Sequence, residues 1–323
     1  MQRPATKRTR SRSLSCYSMS EVASPAEYSP PSSASIDQRQ NSVRALQLLI
    51  AQRRLYTRAK RWQGVRWGGL LVLGIGAPFL SLIAPTFAVA AGAVTGLWLF
   101  AGRTVLTWLE TRTMVKAACV QEELDHYLFA MPRTITRYER PTPEDVDLLV
   151  HSDDVRSVAN REKLTDWYPI DAASPGAVTI AIAQRANASY TNRLIRTTVG
   201  VWAAITVIWM AVLILWGSLS NITLSDFLLG ALFPVLPAFL DVAEYVVNTW
   251  KAARDRADLA TTIEGRLAAS PTSIDGQDLL VWQERLFDLR RTTPQVPNWL
   301  YRATRNRNEH AMTSAARQLR SGS

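Results

Sequence analysis

Two long stretches without a charged side chain constrain this chain more than any other feature. Residues 67 to 102 contain no Asp, Glu, Lys or Arg over 36 positions, and residues 197 to 225 contain none over 29. A helix rises about 1.5 Å per residue and the hydrocarbon core of a bilayer is about 30 Å thick, so one crossing uses roughly 20 apolar residues. The first run is too long for one crossing. Pro85 falls near its middle, in Ile83-Ala84-Pro85-Thr86, and divides it into two short spans, 67–84 and 86–101. In the second run, a third span starts after Arg196 and ends near Leu215, with Gly217, Ser218, Ser220 and Asn221 supplying the turn. A fourth covers 224–240, with Asp226 at one interface and Asp241 and Glu244 near the other, since an ionised carboxylate at the bilayer centre is costly. A buried hairpin of a soluble protein is the competing reading. It fits poorly, because a core helix keeps a polar face and these segments have almost none.

The basic residues set the orientation. Of 37 Lys and Arg, 13 precede the first span, 12 lie from Arg103 to Arg196, and 12 follow from Lys251 onward. Neither hairpin turn holds one, so the positive-inside rule places both termini in the cytoplasm and the chain in the cell's inner membrane. The net charge of +10 then reflects attraction to anionic inner-leaflet lipid rather than nucleic-acid binding. Cys16 and Cys119 both fall on the reducing side, so no disulfide is expected. No apolar stretch precedes Ser13-Leu14-Ser15-Cys16, which excludes a signal peptide there.

The expected fold is an all-α membrane protein, four transmembrane helices in two hairpins plus a helical cytoplasmic body. Residues 1–35, rich in Ser, Pro and Arg, are expected to be a disordered tail. Residues 36–66 read as a basic amphipathic helix, capped at Asn41-Ser42 and suited to lie against the membrane. The first hairpin is 67–101, a cytoplasmic helical region follows over 102–196, the second hairpin is 197–243, and 244–323 forms a helical C-terminal region. Leu106, Leu109, Thr113, Ala117, Val120, Leu124 and Tyr127 share one helical stripe, and so do Val246, Trp250, Ala253, Ala257, Ala260, Ile263 and Leu267. Each hairpin thus sends its returning helix into the cytoplasm, where the two are expected to pack as a stalk. Short helices are expected at 142–151 and 154–164, and a longer one at 275–291.

Catalytic signatures are missing: no phosphate-cradling glycine loop, no zinc-type Cys or His pairing, no nucleophile motif. Glu122 and His126 at a spacing of four, and His151 with Asp153 and Asp154, read as solvated faces and caps before metal sites. The protein is expected not to be an enzyme and to need no cofactor. In the spans, Gly92 and Gly96 extend a small-xxx-small series from Ala88, which lets helices approach closely within a hairpin or between copies. Pro234 and Pro237 interrupt the fourth span, and Asp241 and Glu244 follow toward the cytoplasm, a gate and a cation-attracting ring if several copies line a pore. A homo-oligomer is expected, because four helices of one protomer leave no aqueous lumen. A cyclic nucleotide needs cations for its phosphates and flat side chains for its bases, and Arg156, Arg161, Lys163, Trp167, Tyr168 and Arg185 supply both. Surface charge around a buried aromatic anchor would give the same pattern.

Several stretches also resemble a known family. They are Ile36-Asp37-Gln38-Arg39-Gln40-Asn41, Leu46 to Leu49, Ala51-Gln52-Arg53-Arg54-Leu55-Tyr56 and Ala59-Lys60, then Gln121-Glu122, Leu124-Asp125 and Leu128-Phe129. Asp166-Trp167-Tyr168-Pro169 and Val296-Pro297-Asn298-Trp299-Leu300-Tyr301-Arg302 complete the set. In this order, with the hairpin layout, they resemble the SMODS-associating four-transmembrane effectors of bacterial antiphage systems. Where that family has Cys-Gln-Arg before the third span, this chain has Ala183-Gln184-Arg185 and so no thiol there. The resemblance implies a pore-forming effector, switched by a second messenger from a partner nucleotidyltransferase, that breaches the cell's own membrane. A membrane scaffold, or a channel without nucleotide control, is the alternative.

Overall fold

The computed structural model describes residues 28–296 apart from 134, 152–153, 220–222 and 229–231, together with Leu300 and Ser314. Every regular element among them is a helix: α1 Ser33–Gln40, α2 Val43–Ile83, α3 Ala88–Ala101, α4 Thr107–Phe129, α5 Pro143–Val150, α6 Val155–Glu162, α7 Gly176–Leu219, α8 Leu224–Phe227, α9 Phe233–Ala269 and α10 Gly276–Thr292. A 3-10 turn at Pro85–Phe87 reverses the chain after α2, where Pro85 cannot continue the helix. A π-helical segment, Gly102–Leu106, joins α3 to α4 without a break. Two of the resulting helices, Val89–Phe129 and Gly176–Leu219, are long and apolar enough to cross a membrane.

Local signals explain the boundaries. Ser42 accepts from the Ala45 amide at the start of α2, Asp154 from Ser157 at α6, and Asp275 from Asp278 at α10. Thr142 and Asp145 form a reciprocal capping box at α5. Ala130, His151 and Lys163 end α4, α5 and α6 in the left-handed conformation.

Burial divides the molecule in two. At one end Ile36, Leu46, Leu48, Leu49, Ile50, Leu124, Leu128, Ile180, Leu259, Ile263 and Leu286 pack into a single core. At the other, Val89 is 85 % exposed, Leu97 70 %, and Val72, Val207, Ile208 and Leu215 are likewise open. Such a contiguous apolar surface marks contact with something other than water. α7 belongs to both ends: Val178, Ile180, Ile182 and Ile195 are buried, whereas Ile205, Val207 and Ile214 are not.

Several expectations are corrected. The tail does not extend to Ser35. Tyr28 is buried and its hydroxyl donates to the Phe129 carbonyl at 2.7 Å, while Ser33 hydrogen-bonds Thr179 and the Ser174 carbonyl at 2.6 Å each. The basic segment before the first span does not lie flat on a membrane: its leucines fill the core, Arg53 is tied to Glu162, and Arg54 donates to the Leu149 and Val150 carbonyls. The two returning helices do not form one stalk. α4 packs along α2 and α9 along α7, with α10 bridging the pairs. Gly217 and Ser218 are helical rather than in a turn, and Gly217 leaves room for the Phe227 ring.

Candidate functional site

Two polar clusters punctuate this apolar frame. The first lies inside the body around Asp125, a carboxylate only 1 % exposed on α4. Arg290 of α10 donates to its Oδ2 at 2.6 Å and Gln283 to the same oxygen at 2.8 Å, while the Tyr168 hydroxyl donates to Oδ1 at 3.2 Å. Tyr168 in turn accepts from Asn187 of α7 at 2.8 Å, and its amide donates to Gln40 of α1 at 3.1 Å. Gln184 links the Leu279 carbonyl and Gln283, and the Tyr56 hydroxyl donates to Gln121 at 3.0 Å. Burial pushes the Tyr56 phenol up to about 12, and it raises Tyr168 well above the ordinary range, against the pull of Arg290. The chain stretches that resemble an effector family meet here: Asn41 and Asp166 exchange two hydrogen bonds, at 2.8 and 3.0 Å.

The second cluster is a collar where the exposed apolar segments begin. Trp67 of α2 lies 5.0 Å from Trp202 of α7 and 5.3 Å from Tyr245 of α9, centroid to centroid. Arg66 donates to Thr107 at 2.6 Å and pairs with buried Glu110 at 3.5 Å. Burial raises the Glu110 carboxyl, opposed by Arg66. Thr107 returns its hydroxyl proton to the Gly102 carbonyl at 2.9 Å, inside the π segment. Tyr245 donates to the Gln295 carbonyl at 3.0 Å, and Val296 and Leu300 pack with Leu194, Ile195 and Ala253. The chain after α10 therefore reaches back to this collar.

Asp241 and Glu244 sit beside the collar, and neither is free. Arg103, from the π segment, bonds Asp241 through Nε at 2.6 Å and reaches Glu244 at 3.5 Å. Above this pair a groove of about 610 Å³ separates the first hairpin from α9, lined by Leu99, Phe100, Leu236, Pro237 and Leu240 among others. Pro237 lies inside α9, whereas Pro234 occupies the first turn, where a missing N–H costs little; one proline, not two, interrupts the helix. Gly92 and Gly96 are exposed, with nothing in the protomer near the space a Cβ would take, so they do not serve packing within the hairpin.

The six residues chosen for a nucleotide do not converge. Arg156, Arg161 and Lys163 are exposed on or just after α6, Trp167 is half-buried against the core, and Tyr168 is inside the Asp125 network. Arg185 pairs with Glu264 of α9 at 2.6 Å. Glu122 is held by Arg137 at 3.0 Å and by Arg140 at 3.7 Å, and burial lowers the His126 imidazole. Sequence reasoning missed Arg256 and Arg290, both buried, and marked Asp125 only within the resembling stretch Leu124-Asp125. The available signal was a charge within an otherwise apolar stripe, as Arg256 stands among Ala253, Ala260 and Ile263.

The chain matches the family described as SMODS-associating 4TM effector domain over residues 34–319. No curated protein and no solved structure matches it.

Proposed function

Because the chain belongs to the family of SMODS-associating 4TM effector domains, we propose that it is a four-span membrane effector of antiphage defence. Its cytoplasmic body senses a nucleotide second messenger made by a partner nucleotidyltransferase, and an oligomer of it then breaches the cell's own membrane. The observation carrying this reading is the division of single helices between a packed body and an apolar end. The 44 residues of α7 extend about 66 Å, roughly twice the bilayer core, and only their second half is apolar and exposed. The spans are 67–84, 86–101, 197–215 and 224–240, with both termini cytoplasmic because the body holds the basic residues.

One protomer leaves no lumen, so conduction needs several copies. The unpartnered face at Gly92 and Gly96 supports close approach between them. In the closed protomer Arg103 of one hairpin clasps Asp241 and Glu244 of the other. Opening releases those carboxylates to form a cation-attracting ring, with Pro237 the weak point of the helix above them. On the α6 side of the body Arg156, Arg161 and Lys163 are exposed cations available to the messenger's phosphates, while Tyr168 and Arg185 are engaged within the body.

Membrane depolarisation in cells carrying the nucleotidyltransferase tests this. Arg103→Ala should depolarise at lower messenger levels, and Asp241→Asn with Glu244→Gln should reduce cation preference. If neither variant departs from the parent, the clasp does not gate. If no stimulus yields conductance, the protein is an anchor or scaffold instead. Cysteines at Pro85 and Asn221 should react with an impermeant thiol reagent in intact cells, and those at Ser15 and Ser321 should not.

A further inference from the structure

The body contains a charge that no described residue balances. Arg256 of α9 is 3 % exposed and Arg290 of α10 is 5 % exposed. Arg290 faces Asp125, Tyr168 and Tyr56, while Arg256 faces Tyr56 and Arg290 itself, so Asp125 is the one carboxylate acting on the pair. Arg290 spends one nitrogen on Asp125. Arg256 bonds only neutral oxygens, the Leu289 carbonyl at 2.9 Å and the Thr293 hydroxyl at 3.2 Å. Its Nε, and Nε and Nη2 of Arg290, are buried without a hydrogen-bond partner among the described residues. Tyr56 and Cys119 do not supply the missing negative charge, since burial raises them to about 12 and about 11. An unpaired ion in the interior costs several kcal/mol even after relaxation, and a guanidinium does not escape it by losing its proton. Trapped water would satisfy the N–H groups and leave the charge.

We propose that the body binds an oxyanion of the phosphate class between Arg256 and Arg290. The guanidinium fork matches that geometry, and three unused N–H donors are in place to receive it. The site lies under the last turn of α10, because Arg256 reaches it at Leu289 and Thr293. That turn must lift for the anion to enter or leave. Inorganic phosphate and the phosphodiester of a nucleotide share this chemistry. The inference stands on the buried charge and does not require pore formation.

The test uses the full chain in detergent, purified without phosphate, and follows thermal unfolding as inorganic phosphate or a panel of cyclic dinucleotides and trinucleotides is added. At a hundredfold excess over Kd the parent's midpoint should rise by about 5–10 °C. Arg256→Met should abolish that rise while melting at or above the parent in phosphate-free buffer, because it removes the unbalanced charge. A response to phosphate identifies free anion as a ligand. A response to nucleotides alone identifies the phosphodiester. Equal responses in parent and variant, which general salting-out would give, overturn the proposal. Should Arg256→Met fail to fold, phosphate released on acid denaturation of the parent decides: about one per chain supports the site, and none, with no midpoint shift for any ligand, sinks it.

Discussion

Replacing Asp125 with Asn isolates the worth of its charge. An amide fits the same space and its oxygen still accepts from Gln283 and Arg290, whereas its NH2 must donate to the Tyr168 hydroxyl, which loses its own acceptor. What disappears is the carboxylate paired with Arg290, which is almost fully buried and has buried Arg256 as a neighbour. Removing one partner of a buried ion pair costs about 3–5 kcal/mol, since the other is left charged and unsolvated. For a body of this size that is roughly 6–20 °C in midpoint, at about 2–4 °C per kcal/mol. Melting in detergent, followed by tryptophan fluorescence with Trp282 of α10 buried nearby, measures it directly. Adding Arg290→Met to Asp125→Asn should recover most of the loss, because a pair replaced by apolar groups is close to neutral where a broken pair is not. If Asp125→Asn melts within about 2 °C of the parent, or the double variant melts no higher than the single one, the ionic account of this core is wrong.

Gly176→Ala and Gly276→Ala should each cost about 1–3 kcal/mol and speed proteolysis of the N-terminal segment, because the added methyl meets the Pro31 and Tyr28 backbone carbonyls. Gly265→Ala, with open space around it within α9, should instead stabilise by about 0.5–1 kcal/mol in the same melts. Lys60 is lowered to about 8 by burial, with Arg53 adding to the effect. Its unfolded form holds a proton up to the ordinary lysine range, so between about pH 8 and that range the unfolded state binds more protons and stability rises with pH. Lys60→Met should flatten that rise and lift the midpoint at pH 7; an unchanged pH profile would show that the ammonium is effectively solvated. Tyr168→Phe removes donation to Asp125 and acceptance from Asn187, and should cost about 1–3 kcal/mol, read by denaturant titration of the body signal.

Local chemistry made much of the fold legible. Two uncharged runs announced the apolar ends of the long helices, Pro85 announced the reversal, and Thr142, Asp154 and Asp275 announced helix starts by side-chain caps. The partners of those helices were not legible. A stripe of period 3.6 says which face is buried and not against what, so two returning helices with apolar stripes read as one stalk when each packs on its own outgoing helix. On α9 Ala253, Ala260, Ile263 and Leu267 are buried as the stripe predicts, but its start is out of phase: Thr249 is buried and Trp250 is exposed under Arg196. Tyr245 and Arg256 on the true seam are polar, which moved the apparent phase toward the aliphatic residues. Arg185 looked like a phosphate ligand because its partner, Glu264, lies on a distant part of the chain.

One short segment touches both polar clusters, and this bears on how a signal crosses the molecule. Arg290 anchors the last turn of α10 in the Asp125 network, and Thr293 takes a bond from Arg256 in the same place. Two residues beyond Thr293, the Gln295 carbonyl receives the Tyr245 hydroxyl at the collar. Five residue steps span at most about 18 Å, and Pro294 fixes one of the intervening torsions. Lifting the last turn of α10 therefore moves the chain that bonds Tyr245, whose ring packs against Trp67 and Trp202. α2, α7 and α9 are rigid routes as well, since Tyr56 and Trp67, Asn187 and Trp202, and Arg256 and Tyr245 share those helices, and Arg66, Thr107 and Glu110 bind α2 to α4 at the collar. The residues after α10 add a separate short strap to these continuous helices, joining the Arg256–Arg290 site to the aromatic seam between α2, α7 and α9.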